Sequence, residues 1–218
     1  MEFDEVVRRR RMVRSYDPDR PVPAEVIDRI VRHGLRAPSA GFSQGWGFLV
    51  LTEPADRDRY WSSTTEGDLG DAQADTAWRG EWLTRMRTAP VLIVCLANKS
   101  VYLNRYAEPD KGWTDRDEKH WPVPYWDIDT GFAALLMHLS AVDADLGSCF
   151  FGLPATHVQN FKDAFGVPAE FNPIGTLSVG YRTADDKRSP SLKRGHRPVA
   201  EVVHHGRWAA PAASAGTP

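Results

Sequence analysis

The chain has 218 residues, of which 42% are hydrophobic and 26% are charged, and its formal net charge at pH 7 is −2. These values fit one large folded domain or two small ones, and the slightly acidic balance argues against a nucleic-acid partner. No apolar run approaches the roughly 20 residues that span a bilayer, and the N-terminus lacks the apolar core of a signal peptide, so we expect a cytoplasmic protein without a membrane partner.

The two cysteines predict neither a disulfide framework nor a metal site. Cys95 and Cys149 lie in apolar stretches, without the Cys/His spacing of a zinc site. We therefore expect structural thiols in a reducing compartment and no bound metal.

The first unusual feature is the arginine segment, Val7–Tyr16, with the sequence VRRRRMVRSY. The apolar residues before it have near-helical spacing, so we predict a helix that ends near Arg9. Planar, forked guanidinium groups that converge on one point suit a phosphate dianion. A solvated basic surface and a nucleic-acid patch are the alternative interpretations, and the overall charge argues against the second.

The next elements are a helix, a loop and a strand. Pro23 opens a helix with a one-sided apolar stripe, and Pro38 disfavours helix at the residue before it. The loop Pro38–Trp46 consists largely of small and polar residues, which let backbone amides approach a ligand closely. A short apolar strand, Phe48–Leu51, follows the loop.

The middle of the chain predicts a helix, a buried strand and a long irregular segment. An apolar face with four-residue spacing predicts a helix over Asp71–Arg87, and the apolar run Ala89–Ala97 predicts a central strand buried on both faces. Residues 98–126 are rich in aromatic residues, prolines and charges, without a sustained period. We interpret this segment as an ordered lid or a partner-contacting excursion, and disorder is the alternative.

The strongest helical pattern has Asp127 as a plausible N-cap and Gly147 at the expected C-cap, and its many apolar residues predict a nearly buried helix. His138 within this helix is interpreted as a packed core or interface residue. The following stretch, Ser148–Gly152, predicts a strand or a tight turn.

The last third of the chain contains a short helix, a strand and a tail. Apolar residues from Val158 to Phe165 predict a helix closed by Gly166, and Ile174–Tyr181 alternates as a strand does. The tail up to Trp208 is extended and basic. Residues 209–218 are rich in alanine, proline and serine, and we predict that they are disordered.

Four motifs occur in a recognisable order: R-R-x-V-R-S-Y, the A-P-S-A-G-x-x-Q-x-W loop, L-G-S-C-F-F-G after the long helix, and a V-G-Y strand before a basic tail. Together they resemble the FMN-dependent nitroreductase superfamily, from about Val6 to Trp208. The resemblance implies an α+β fold in three layers, with helices on both sides of a central mixed β-sheet. It also implies one domain over residues 1–208 and an intertwined homodimer with FMN at its interface.

The resemblance also assigns cofactor-binding residues. The arginine segment would bind the ribityl phosphate, the loop would cover the flavin, the stretch after the long helix would contact the ring through its backbone, and the basic tail would complete the phosphate site. These residues are Arg10, Arg11 and Arg14; Pro38, Ser39, Ala40 and Gln44; Gly147, Ser148 and Phe150; and, in the tail, Arg194 and Arg197 as two candidates.

Three positions depart from the family pattern. Met12 stands where the family usually has serine, and Phe42 and Gly45 stand where it usually has asparagine and proline. These departures keep a second function open, in which the same fold binds and sequesters FMN without turnover.

The main function implied by the resemblance is an NAD(P)H-dependent FMN oxidoreductase. Hydride would pass from NAD(P)H through N5 of the flavin to a flat, electron-poor acceptor such as a nitroaromatic, a quinone or an enone. The flavin carries this chemistry, so no catalytic side chain is predicted. Four aromatic residues suit stacking on the acceptor, with packing as the alternative for each. They are Phe42, Trp121, Tyr125 and Trp126.

Overall fold

The computed structural model of the protein describes residues 1–65 and 76–208. Its four strands are β1 (Trp46–Leu51), β2 (Val91–Asn98), β3 (Gly147–Phe151) and β4 (Phe171–Gly180). They form one sheet in the order β1-β2-β4-β3, and all three ladders between them are antiparallel. Among the described residues, parallel pairing occurs only at the isolated bridge between Met12 and Ser148. The predicted central sheet is confirmed, but its four strands are all antiparallel, so the expected mixed pairing was wrong.

Helices cover both faces of the sheet. Those of the first 186 residues are α1 (Phe3–Arg9), α2 (Ala24–Gly34), α3 (Pro54–Thr65), α4 (Thr76–Met86), α5 (Lys99–Tyr106), α6 (Tyr125–Asp143) and α7 (Val158–Phe165). Apolar side chains of α2 and α6 pack on one face of the sheet, and those of α3 and α7 pack on the other. This arrangement confirms the predicted α+β fold in three layers.

The central strand β2 shows why two apolar layers form. All eight of its residues are buried, and successive side chains point to opposite faces of the sheet. Leu92 and Val94 pack toward α3 and α7, whereas Ile93 and Cys95 pack toward α2 and α6. The prediction of a strand buried on both faces is confirmed.

Pro173 interrupts the ladder between β2 and β4. A proline has no N–H to donate, so it is normally confined to strand edges or bulges. Here Cys95 pairs with Gly175 and the next residue, Leu96, pairs with Pro173, so Ile174 is the extra residue of a bulge. The bulge lets β4 extend further toward its N-terminus than the sequence predicted.

Two helices were missed by the sequence analysis. Helix α3 has no clear apolar stripe, and it is held by three buried side chains, Tyr60, Trp61 and Thr64. Helix α5 lies inside the segment 98–126, which was predicted to be irregular, and the side chain of Asn98 caps its N-terminus by accepting from the Ser100 N–H at 2.9 Å. The same segment also contains a 3-10 turn, Glu118–His120.

The long helix α6 differs from its prediction at both ends. It begins at Tyr125, with Pro124 rather than Asp127 at the N-cap position, and it ends at Asp143. Gly147 is therefore the first residue of β3 and not a helix cap. One stripe of α6 is also exposed, so the prediction of a nearly buried helix was wrong for that stripe.

Other predicted elements are confirmed with small shifts. Helix α7 is closed by Gly166, which has a left-handed φ of 62°. Of the predicted helix 71–87, the structure describes Thr76–Met86, and its first residues lie outside the described part of the chain.

The chain divides into two compact units, Met1–Asp186 and a segment that starts at Lys187. The first unit contains the whole sheet and α1 to α7. The second contains a 3-10 turn, Pro190–Arg194, and the short helix α8 (Val199–Val202). The single domain over residues 1–208 stays a prediction, and the predicted disordered tail, 209–218, lies outside the described residues. Every described helix is too short or too polar to cross a membrane.

Candidate functional site

The arginine segment pairs with the outer edge of β3. Met12 bridges Ser148, and the Val13 N–H donates to the Ser148 carbonyl oxygen at 2.9 Å. Gly147 permits this close approach, because a Cβ at that position would lie 2.7 Å from Cγ1 of Val13. The fold therefore brings together two predicted cofactor-binding segments that are far apart in the sequence.

Asp186 anchors the arginine segment from the other side. Its side chain is 1% exposed and forms an ion pair with the Arg11 guanidinium, which also donates to the Asp186 carbonyl oxygen at 3.1 Å. The second carboxylate oxygen accepts a hydrogen bond from the backbone N–H of Arg14 at 2.8 Å. Because a carboxylate already matches the charge of Arg11, that guanidinium is less suited to bind a phosphate than the sequence suggested.

Arg10 and Arg14 differ from Arg11 in this respect. Within residues 1–65 and 76–208 neither of them forms a salt bridge, and both are half-buried. The Arg14 guanidinium donates to the Met12 carbonyl oxygen at 3.3 Å, which leaves most of its N–H groups available. Two forked guanidinium groups with unused donors suit a phosphate dianion.

His138 lies on α6 behind the arginine segment. Its side chain is 3% exposed, and its Nδ1 shares a hydrogen bond of 2.5 Å with Oγ of Ser148. Burial, and then the nearby charge of Arg10, lowers the pKa of His138 from the ordinary 6.5 to about 4. The imidazole is therefore neutral at pH 7, and the interpretation of His138 as a packed core residue is confirmed.

The low pKa of His138 predicts acid-sensitive stability. The unfolded chain binds a proton at His138 below about pH 6.5, whereas the folded chain does so only near pH 4. The contribution of His138 to the free energy of unfolding is therefore complete above about pH 6.5. It falls by roughly 3 kcal/mol as the pH drops to 4. Urea unfolding of His138→Gln across this range should show a flatter pH dependence than the wild type.

The α2–β1 loop, residues 35–45, is held in an unusual conformation. Gly41, Phe42 and Gln44 have left-handed φ values of 60°, 55° and 52°. The Gln44 N–H donates to Oγ of Ser39 at 3.0 Å, and the Ala40 N–H donates to a carboxylate oxygen of Asp129 on α6 at 2.8 Å. The predicted loop residues Ser39, Ala40 and Gln44 are thus fixed together, next to the exposed Pro38.

The predicted acceptor-stacking residues fall into two groups. Trp121 packs against Tyr125 and Trp126, with ring centroids 5.6 and 6.1 Å apart, so these three aromatic residues share one cluster. Trp126 is buried there beside Tyr102, and packing describes its role better than stacking on a ligand. Phe42, in contrast, is 76% exposed, and Tyr125 is also exposed.

A cavity of about 260 Å³ lies between α3, α4 and the residues that follow β3. Its lining is mostly aromatic and apolar and includes Trp61, Trp82, Leu83, Phe151, Gly152 and Leu153. The Trp61 and Phe151 rings stack with centroids 5.8 Å apart. Phe150 precedes Phe151 on β3, and because successive strand residues alternate, its ring packs against Gly175 on the opposite face of the sheet. The assignment of the Phe150 backbone to the flavin ring stays a prediction.

Comparison with known proteins agrees with this fold. The Nitroreductase family model matches residues 7–181. The chain belongs to the nitroreductase family. The resemblance to this family predicted from the sequence motifs is therefore confirmed.

Individual members of the nitroreductase family are distant from this chain. YdjA of Escherichia coli K12, provisionally named an NAD(P)H nitroreductase, is 26% identical over 178 residues, which cover 79% of this chain and 84% of YdjA. A protein of Archaeoglobus fulgidus, provisionally named an NADH dehydrogenase/NAD(P)H nitroreductase, is 25% identical over 208 residues, covering 91% and 94%. A nitroreductase family structure from Clostridium difficile 630 has a TM-score of 0.68 at 20% identity and covers 95% of this chain and 100% of its own.

The tail of this nitroreductase-family chain carries the last two predicted residues. Arg194 ends the 3-10 turn and is exposed, whereas the Arg197 guanidinium lies 3.4 Å from a carboxylate oxygen of Glu201. Both belong to the second compact unit. Their assignment to the phosphate site stays a prediction.

The sequence analysis missed two residues that shape this candidate site, Asp129 and Asp186. In the sequence Asp129 looks like an ordinary acidic residue near the start of a helix. It is, however, three residues after the buried Trp126 and four before the buried Ala133, so it lies on the buried side of α6. An acidic residue on the buried stripe of a helix is the signal that identifies it. Asp186 follows the V-G-Y strand in a polar stretch and offers no comparable pattern.

Proposed function

We propose that the protein is an NAD(P)H-dependent oxidoreductase that binds FMN and reduces a flat, electron-poor acceptor such as a nitroaromatic, a quinone or an enone. Membership of the nitroreductase family supports an oxidoreductase, and two relatives carry NAD(P)H nitroreductase in their names. One observation supports FMN as the cofactor: β3 runs from two arginines that form no salt bridge within the described chain to an aromatic cavity.

The first part of a fit to FMN is the phosphate. Arg10 and Arg14 flank Met12, the residue that bridges β3, and neither guanidinium is matched by a carboxylate of the described chain. A phosphate dianion supplies acceptors for several guanidinium N–H groups at once. Arg10 and Arg14 would therefore hold the phosphate, while Arg11 and Asp186 would keep the segment in place.

The second part is the distance between the phosphate end and the ring end. Ser148 pairs with the arginine segment, and Phe151, three residues further along β3, lines the cavity. Three residues of a strand span about 10 Å. This reach is comparable to that of an extended five-carbon ribityl chain, which supports FMN as the ligand.

The chain itself would supply binding, orientation and exclusion of water. When bound, FMN supplies the hydride chemistry between NAD(P)H and the acceptor. The apolar walls formed by Trp61, Trp82 and Phe151 would keep water from a flat ring, and the exposed Phe42 offers a further aromatic surface for an acceptor.

The test is an absorption spectrum of the purified protein, followed by anaerobic addition of NADPH and then NADH. We expect flavin bands that bleach with at least one donor and recover on addition of a quinone or nitroaromatic. Flavin bands that persist with both donors would favour the alternative, a protein that binds FMN without turnover. A colourless protein that does not take up added FMN would overturn the proposal.

The homodimer implied by the family is part of the same proposal. Phe132 and Leu135 on α6 are 45% and 50% exposed, and α1, which contacts α6, exposes Phe3 and Val7. Clustered apolar side chains on the surface of a folded protein mark interaction sites. A second copy of the chain is the partner that the family predicts for this surface.

Leu135→Glu is expected to weaken or abolish the dimer. The substitution places a charge on the exposed apolar stripe of α6, where burial in an interface would desolvate it. Light scattering with size-exclusion chromatography should give a dimer mass for the wild type and a monomer mass for the variant. Leu35→Glu alters an equally exposed leucine at the end of α2 and should remain dimeric. A monomeric wild type would contradict the assigned interface.

A further inference from the structure

We infer that Asp129 is a positioning residue that holds the α2–β1 loop in its cofactor-binding conformation. This inference rests on the proposed function, because the loop carries the predicted flavin contacts Ser39, Ala40 and Gln44. Asp129 is a buried carboxylate on α6 and lies outside the four sequence motifs.

The first argument is the hydrogen bonding of the carboxylate. Asp129 is 3% exposed, and one of its oxygens accepts both the Ala40 N–H at 2.8 Å and the Tyr102 hydroxyl at 2.9 Å. No salt bridge to Asp129 exists within the described chain. A buried carboxylate is costly unless it accepts hydrogen bonds, so these two donors and the carboxylate stabilise one another.

The second argument is the strain of the loop. Phe42 and Gln44 adopt left-handed φ values, which cost free energy for residues other than glycine. Such a conformation persists only where surrounding contacts fix it. The Ala40–Asp129 bond lies immediately before the strained residues, and it is a contact from a rigid helix to the loop backbone.

The third argument is the packing of the loop glycines against α5. A Cβ at Gly45 would lie 2.5 Å from the Tyr102 ring, and one at Gly41 would lie 2.7 Å from the Tyr106 ring. Nε of Arg105 also donates to the Gly41 carbonyl oxygen at 3.1 Å. The loop thus sits directly on α5, and Asp129 joins the Tyr102 hydroxyl and the loop backbone at one atom. The family departure at Gly45 has a structural reason here, since a larger residue would displace Tyr102.

The same aspartate connects the loop to the aromatic cluster. The Tyr102 ring packs edge-on against Trp121 and Trp126, with centroids 6.0 and 6.4 Å apart. Loss of the Asp129 carboxylate would therefore release the α2–β1 loop and one anchor of the cluster. Phe42, at the tip of the loop, would lose its fixed position.

The test compares four variants for FMN affinity and for amide hydrogen exchange in residues 39–45 of the full chain. Asp129→Leu removes the acceptor of both hydrogen bonds and should weaken FMN binding on the order of tenfold or more, as expected for a lost hydrogen bond to a charged group. Exchange in the loop should rise while exchange in β2 stays slow. Asp129→Asn keeps an oxygen for the Ala40 N–H and should restore most of the affinity and of the loop protection.

Two further variants serve as controls. Tyr102→Phe removes one donor but leaves the Ala40–Asp129 bond, so its effect on the loop should be smaller than that of Asp129→Leu. Asp127→Asn changes an acidic residue two positions away on the same helix, and it should match the wild type in both measurements.

Three outcomes would overturn the inference. Wild-type affinity and loop exchange in Asp129→Leu would show that the carboxylate does not hold the loop. Faster loop exchange with unchanged FMN affinity would separate the loop from cofactor binding. Faster exchange in β2 as well would indicate a general structural role. Failure of the wild type itself to bind FMN would instead contradict the proposed function, before any variant is compared.

Discussion

The double variant Arg10→Ala/Arg14→Ala is expected to bind FMN on the order of a thousandfold more weakly than the wild type. A hydrogen bond to a charged group contributes about 1.5–3 kcal/mol, so each arginine alone should account for roughly ten- to a hundredfold. Because neither guanidinium forms a salt bridge within the described residues, their removal leaves no buried carboxylate unmatched. The thermal stability of the apoprotein should therefore change little.

The measurement is a titration of the apoprotein with FMN, followed by the quenching of flavin fluorescence. Arg8→Ala is the matched control, since Arg8 belongs to the same segment but is exposed and paired with Glu5. The control should keep the wild-type affinity. Equal affinity in the wild type and in the double variant would disprove the assignment of the phosphate to Arg10 and Arg14.

Arg11→Met is expected to have the opposite profile, a large loss of stability without a specific loss of FMN contacts. The substitution keeps the apolar stem but leaves the Asp186 carboxylate, which is buried, without its ion-pair partner. Removing one partner of a buried pair typically costs about 3–5 kcal/mol. Urea unfolding of the apoprotein should show this decrease in the free energy of unfolding.

A double variant tests the physical cause of this loss. Arg11→Met/Asp186→Asn removes both charges and keeps an oxygen that can accept the Arg14 N–H. It should recover a substantial part of the lost stability, because no unmatched buried charge remains. If Asp186→Asn makes the Arg11→Met protein less stable still, the ion pair is not the source of the effect.

The contrast between these arginines also shows what a sequence motif can predict. The run of guanidinium groups predicts an anion site, and the pairing of Met12 with Ser148 places that run beside β3. The motif contains no information about Asp186, which lies 175 residues after Arg11. Which of the arginines is matched internally therefore depends on the fold and not on the spacing of the motif.

The secondary structure was predictable where local pattern and burial coincide. Helix α2 has its apolar residues on one side, and β2 is apolar from Val91 to Ala97, so the hydrophobic pattern identified both. Helix α3 has no such stripe and is fixed by tertiary packing, in which Tyr60 donates to Oγ1 of Thr176 and Phe161 packs against its ring. Tertiary contacts of this kind override local propensity and are not visible in the sequence.

The strand order has a consequence for how the chain folds during synthesis. Strand β4 occupies residues 171–180, yet it lies between β2 and β3 and pairs with both. Until these residues have emerged from the ribosome, β2 and β3 present unpaired apolar edges, which are prone to pair with other chains. A product that terminates before residue 171 would consequently contain most of the apolar core residues but could pair only β1 with β2. Such a product should aggregate rather than persist as a smaller folded protein.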